Sequence, residues 1–310
     1  MMYEPSEPQA PGEGQIYLDH VGWFVPDMDA AAAAFRRLGF PMSPFTVHTN
    51  EQPDGTRVPS GTANRCAMIA RGYLEVLTDV PDVDTPLSSQ LRGGLARYTG
   101  LHLIAFTVSD AEAATARLRE AGFDPEPPVA LRRAMPLDGG GEGTAAFSVV
   151  RLPPGAMAEG RIQILTQDTP DVVWQPSVTA HENGLDMLSG VLICTTDPEE
   201  AAGRYGRFTG KPVTPAPQGV RRVLLDRGEI AFCDRDCCGE ILPGVVVPDV
   251  PFIAAVAIRS VDLSETRAWF ARNDIALLAD GAGRLVVSPS EMCGAALVAH
   301  DGEMRPFGIA

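Results

Sequence analysis

LDHVGWFVPDMDAAAAAFRRLGF, residues 18–40, reads as an apolar strand, an Asp-bearing turn and an Ala-rich helix closed by Gly39. GLHLIAFTVSDAEAATARLREAGF, residues 100–123, repeats that plan: Asp110 can cap a helix, Gly122 can end it, and both stretches finish in Gly-Phe. The plan recurs in MLSGVLICTTDPEEAAGRYGRFTG (187–210), where Pro198 suits a first helical turn, and in FIAAVAIRSVDLSETRAWFARNDI (252–275). After each helix come short β-type runs parted by Gly, Pro and Asp: TANRCAMIARGYLEVLT (62–78), RIQILT (161–166), RRVLLDRGEIAFCD (221–234) and GRLVVSPSEMCGAALVAH (283–300). Each unit therefore reads as strand, helix and about three strands, and the repeat sets the frame in which any single motif is interpreted.

With 310 residues, 45% of them hydrophobic, the chain is long enough to fill two cores of ordinary size. A formal net charge of −15 repels phosphate backbones and anionic lipid, so neither nucleic acid nor membrane is an expected partner. No apolar run approaches the roughly 20 residues of a membrane span. Residues 1–15 are acidic, rich in Pro and Gly and without a signal core, which predicts a disordered N-terminus and a cytoplasmic protein. The six cysteines are too few and too scattered for a disulfide framework. CDRDCCGE (233–240) lacks the paired CxxC spacing of a zinc site and reads as packing.

A βαβββ unit that pairs with a second copy to make a cupped sheet resembles the vicinal oxygen chelate superfamily, which includes glyoxalase I, fosfomycin-resistance proteins and extradiol ring-cleaving dioxygenases. The opening 18–40 stretch, together with GTANRCAMIARGYLEVL (61–77), is similar to the glyoxalase-like subgroup. TPDVVWQP (169–176) followed by HENG resembles the link between domains in four-unit members. The resemblance is strong over residues 16–180 and mostly architectural over 185–300. It implies an α+β fold of tandem βαβββ units, of the glyoxalase, bleomycin-resistance and extradiol dioxygenase type, in two paired-unit domains. The N-terminal domain spans 16–176 (units 16–98 and 99–176) and carries a metal site; the C-terminal domain spans 177–310 (units 185–248 and 249–305) and is metal-free.

In that superfamily the metal ligands come from the first and last strands of two paired units. The matching places here hold His20 and His102 on first strands, and Glu75 and Gln163 on last strands. A single histidine in an apolar strand is more often a hydrogen-bonded core residue than a ligand. Two of only five histidines at the same place in two copies shift the balance. His20, His102 and Glu75 form the two-imidazole, one-carboxylate set that binds one divalent Fe, Mn, Ni, Co or Zn ion and leaves positions open for substrate. Gln163 is a fourth ligand or a substrate contact. It cannot act as a base at neutral pH, so a glyoxalase-type proton shuttle falls to Glu75. His48, in FTVHTN, is read either as a catalytic proton donor or as an exposed loop residue, and Asn64 and Arg65, in GTANRC, as substrate contacts. The C-terminal half offers only Ser189 or Gly190, Ala254 or Ala255, Ala231 and a position near Ala296.

RRAMPLDGGGEG (132–143) is expected to be a mobile loop or a disordered excursion and lacks the pattern of a phosphate-binding loop. His181 and His300 are expected at the surface, and Trp23, Trp174 and Trp269 in packing roles. The function these readings support is a metal-dependent lyase or isomerase acting on a small molecule with adjacent oxygens. The alternatives are an Fe(II)-dependent extradiol-type dioxygenase and a non-catalytic binding or resistance protein. The expected partners are a small-molecule substrate and a second copy of the chain in a homodimer.

Overall fold

The structure, a computed structural model, describes residues 9–308 apart from 52, 53, 55, 180, 282 and 304. The first unit contains β1 (Tyr17–Phe24), α1 (Met28–Arg37), β2 (Thr46–Glu51), β3 (Arg57–Met68) and β4 (Tyr73–Asp79), and is followed by α2 (Pro86–Arg97). The second contains β5 (Gly100–Thr107), α3 (Ala111–Glu120), β6 (Val129–Pro136), β7 (Glu142–Arg151) and β8 (Arg161–Gln167). Two short helices, α4 (Pro170–Val173) and α5 (Pro176–Thr179), lead to β9 (Leu185–Cys194), α6 (Pro198–Thr209), β10 (Val213–Pro215), β11 (Arg221–Leu224), β12 (Glu229–Cys233) and α7 (Arg235–Ile241). The fourth unit is β13 (Phe252–Ser260), α8 (Leu263–Arg272), β14 (Leu277–Gly281), β15 (Arg284–Val287) and β16 (Ala296–His300). The strands join in one 16-stranded sheet. In every unit the first strand pairs in parallel with the last, and the first strands pair antiparallel across each half, β1 with β5 and β9 with β13.

The helix starts follow from chemistry visible in the chain. Asp27, Asp110, Asp197 and Asp262 each stand at an N-cap and accept hydrogen bonds from first-turn N–H groups that have no partner inside the helix. In α1, Met28, Ala31, Ala32 and Phe35 are buried at helical spacing against the sheet, and Phe35 meets the edge of Trp23 with ring centroids 5.1 Å apart. The apolar stripe under the helices takes Val21 and Trp23 of β1, Leu74 and Val76 of β4, and Ile162 and Ile164 of β8. By alternation, His20, Gly22 and Phe24 face the other way, with Tyr73, Glu75 and Leu77 of β4. That opposite face is the cup.

Several expectations are corrected here. The 132–143 stretch is a β-hairpin: β6 and β7 pair from Val129/Val149 to Pro136/Glu142. Gly140 and Gly141 adopt φ of 85° and 83° at its tip, a conformation that glycine takes without steric cost. The segment before the second unit folds as α2, because Leu87, Leu91 and Leu95 recur at helical spacing and Thr85 and Ser88 form a capping box. Of the 1–15 segment, residues 1–8 lie outside the described residues, whereas Gln9 donates to the Ala70 carbonyl and Gly12 to the Gln15 side chain. All six cysteines are free thiols, as expected. His300 is buried and bonded to Ser189 through Nε2 at 2.7 Å, and His181 is partly buried with Nε2 on the Met68 carbonyl, so neither is a bare surface residue.

Candidate active site in the N-terminal cup

The cup of the first unit gathers polar side chains on strands that are otherwise aliphatic. His20 donates from Nδ1 to the buried Asp19 carboxylate at 2.6 Å. A carboxylate only accepts, so Nδ1 carries the proton, and Nε2, the ring's other nitrogen, lies 3.8 Å from Glu75 Oε2. Tyr73 stacks on the His20 ring at 4.2 Å, with its hydroxyl 3.4 Å from the same Nε2. Asn64 donates to Glu75 Oε1 at 2.6 Å. His48 is held at Nδ1 by Thr62 (3.0 Å) and turns Nε2 toward Glu75 Oε1 at 4.0 Å. His48 Nε2 is buried and has no hydrogen-bond partner among the described residues. Gln167 closes the back of the site by donating to Asp19.

The electrostatics follow from this crowding. Burial by itself would raise the Glu75 carboxyl, but His20, His48 and the Asn64 amide outweigh it and the net shift is downward. Burial pulls His48 down to about 4, so its imidazole is neutral at pH 7. Burial raises the Tyr73 hydroxyl well above its usual value, and Asp19 and Glu75 add to the rise.

The sequence reading placed His20, Glu75, Asn64 and His48 together, and the structure does the same. His102 is elsewhere. Its Nε2 donates to the Tyr98 carbonyl at 2.8 Å, and its ring stacks between Tyr98 (4.0 Å) and Phe24 (5.0 Å). Counting from the helix caps gives the reason. His20 stands seven positions before Asp27; seven before Asp110 is Leu103, and His102 is one further back. His102 is thus the counterpart of Asp19. The pairing of β1 with β5 skips both residues, and the β9–β13 pairing skips Ser189 and Ala254, which stand at the same distance from their own caps. A bulge recurs at one place in all four units, and it re-aims whichever side chain occupies it.

Gln163 does occupy the counterpart of Glu75. Glu75 pairs with Gly22 and Gln163 with Ala105, at matching distances from the caps. Gln163 and His20 flank the same residue, Ala105, and so stand two strands apart, with Cα atoms about 10 Å from each other. No hydrogen bond ties Gln163 to the cluster among the described residues. Arg65 lies on the helix face: its neighbours Asn64 and Cys66 bracket Glu75, so alternation turns Arg65 away, where it donates to the Ser43 carbonyl at 2.9 Å. It is not a cup residue. The sequence reading missed Asp19, Tyr73 and Gln167. Asp19 was legible as a second charge in an apolar strand, and Tyr73 as the residue two before Glu75 on the same face.

No group of three His, Cys, Asp or Glu is gathered closely enough to hold a metal among the described residues. The set His20, His102 and Glu75 is therefore not assembled. The donors that do face inward suit a divalent cation chemically: two imidazole nitrogens and a carboxylate, with His48 Nε2 left without a bond. Their spacings of 3.8 and 4.0 Å run to the two different oxygens of Glu75 and are wider than the about 3.4 Å between donors sharing one ion at about 2.1 Å, so the donor types fit a cation while the side chains stand apart from a closed coordination shell.

A family model described as a glyoxalase-like domain matches residues 18–209. No curated protein matches the chain. Among solved structures, a hypothetical protein from Staphylococcus aureus superposes with a TM-score of 0.62 at 11% identity, over 92% of this chain and 99% of that one. A variant of 4-hydroxymandelate synthase from Streptomyces coelicolor gives 0.55 at 14% identity, over 93% of each chain. The Mn(II)-bound glyoxalase from Novosphingobium aromaticivorans gives 0.51 at 12%, over 91% of this chain and 81% of that one. At such identities the likeness is one of fold.

Proposed function

The chain belongs to the glyoxalase-like domain family of the vicinal oxygen chelate superfamily, and from that premise we propose that it is a metal-dependent lyase or isomerase that moves a proton on a small molecule bearing adjacent oxygens. One observation carries the reading: the buried, partnerless Nε2 of His48 faces the Glu75 carboxylate, whose other oxygen faces Nε2 of His20. In the tautomer in which His48 Nδ1 donates to Thr62 Oγ1, both imidazole Nε2 atoms and the Glu75 carboxylate are electron-rich, and a cation between them relieves their repulsion.

His20 and Glu75 would hold a divalent metal from the first and last strands of one unit, with His48 as the third donor or as the proton carrier. When bound, the metal polarises the substrate's oxygens and stabilises the negative charge that deprotonation creates. Asp19 fixes the His20 tautomer, and Gln167 fixes Asp19. Neutral at pH 7, His48 is in the state that accepts a proton, and Thr62 sets its ring. Tyr73 and Asn64 orient His20 and Glu75 and line the approach. A cytoplasmic setting accords with the acidic composition and the free thiols.

Elemental analysis after loading with Mn, Fe, Co, Ni or Zn tests the assignment. Wild type should retain one equivalent, and His20→Ala and Glu75→Gln should lose it, while Asp19→Asn should weaken affinity about 10- to 100-fold through the misplaced imidazole. Retention unchanged in Glu75→Gln would refute the site. The same two-imidazole, one-carboxylate chemistry also serves Fe(II) oxygenases. Oxygen uptake with a catechol, dependent on ferrous iron, would favour the ring-cleaving alternative over proton transfer.

A further inference from the structure

Where α2 meets β7 and β8 lies a cavity of about 230 Å³, lined by Leu87 and Gln90 of α2, Arg151 at the end of β7, Arg161 at the start of β8, Glu126 and Met157. Arg161 is almost fully buried. Its Nε donates to Gln90 Oε1 at 2.8 Å, Nη2 reaches the Leu87 carbonyl at 3.3 Å, and the guanidinium lies over the Phe24 ring at 5.3 Å. Gly160 sets this position: a Cβ there would fall 2.2 Å from the His102 carbonyl, so only glycine lets the start of β8 close against β5. Arg151 pairs with Gln163 across β7 and β8 and so shares the cup-facing side with Gln163 and Arg161. It is half-buried, yet makes no hydrogen bond or ion pair among the described residues. The one anion lining the cavity, Glu126, is exposed and forms no salt bridge with either arginine among the described residues. Glu126 and, more weakly, Glu75 attract the Arg151 guanidinium, and Glu75 attracts that of Arg161.

A guanidinium partly drawn out of water with no carboxylate in hydrogen-bond contact is costly unless a ligand supplies one. We infer that Arg151 and Arg161 form the anion subsite of the cup and that the substrate is a small organic acid, its carboxylate docked on Arg151 while its adjacent oxygens reach the His20–Glu75–His48 cluster. The cavity, smaller than the about 300 Å³ at which drug-sized pockets begin, suits a compact acid rather than a nucleotide or a thioester carrier. Two fork-shaped donors match a planar carboxylate. The substrate assignment rests on the function proposed above, but the anion site itself does not require the metal.

Isothermal titration of the metal-free full-length chain with malonate tests the subsite without interference from chelation. Wild type should bind one malonate and no malonamide, and Arg151→Gln should weaken binding by about tenfold or more, with Arg151→Lys between the two. Because Arg151 holds no other residue in place, its variants should melt with wild type. Equal malonate affinity in wild type and Arg151→Gln overturns the subsite; inorganic phosphate displacing malonate with higher affinity overturns the organic-acid assignment. Metal retention surviving in Glu75→Gln would refute the reaction while leaving these titrations as they stand, so the two failures are distinct.

Discussion

The N-terminal and C-terminal cups share one architecture and differ at a handful of cap-counted positions. Where the first unit has His20, Tyr73 and Glu75, the third has Gly190, Glu229 and Ala231 and the fourth has Ala255, Ala296 and Val298. In the C-terminal half Ala231, Ala255, Ala296 and Val298 merge with Cys194, Cys233 and the buried face of α7 (Cys237, Cys238, Ile241) into a continuous apolar cluster. Buried polar groups there include the Arg222–Glu229 pair and the Ser189–His300 bond. In the N-terminal half, Phe24, Leu77, Leu91 and Leu103 fill part of the cup and leave the His20–Glu75 end polar. The fold therefore builds either an apolar core or a polar cluster on the same strands.

That contrast can be broken directly. Ala231→Glu places a carboxylate at the Glu75 position of the apolar cup, opposite an Arg222 already paired with Glu229, and should cost roughly 2 to 4 kcal/mol by urea denaturation. A cost under about 1 kcal/mol would mean that the C-terminal cup is as tolerant of charge as the N-terminal one.

Acid should sharpen the comparison next. Burial lowers His300 in the C-terminal half, and His48 and His102 in the N-terminal half, each to about 4. Between the unfolded value near 6.5 and that folded value, the unfolded chain binds the extra proton, so stability is full above pH 6.5 and falls as pH drops toward 4. Each histidine contributes about 1.4 kcal/mol per pH unit to that slope. His300→Gln should remove one such share, read from denaturation curves at pH 7, 6 and 5; an unchanged slope would show that His300 is not held neutral.

The smallest expected effect separates packing from ligation. His102→Phe keeps a flat ring between Tyr98 and Phe24 and loses the bond to the Tyr98 carbonyl, a change worth about 1 kcal/mol. Metal retention, measured beside His20→Ala, should be unaffected. Loss of metal in His102→Phe would restore the ligand set inferred from the sequence.

Much of the molecule was legible in the chain: four Asp-capped, mostly Gly-ended strand–helix units, their β-rich tails, and His20, Glu75, His48 and Asn64 as members of one site. Periodicity and capping are local, so a sequence displays them without reference to distant residues. Which way a strand residue points is not local in the same sense. Side chains alternate with a period of two, and a single extra residue reverses the face. The bulge shared by Asp19, His102, Ser189 and Ala254 made His102 resemble His20 in the chain while turning it into a packing residue in the fold. The same rule sent Arg65 to the helix side, and only the meeting of β7, β8 and α2 brought Arg151 and Arg161 to one cavity. The sequence by itself determined the units and the chemical types available; the tertiary structure decided which of those types meet, because register and bulges are fixed by pairing between segments far apart along the chain.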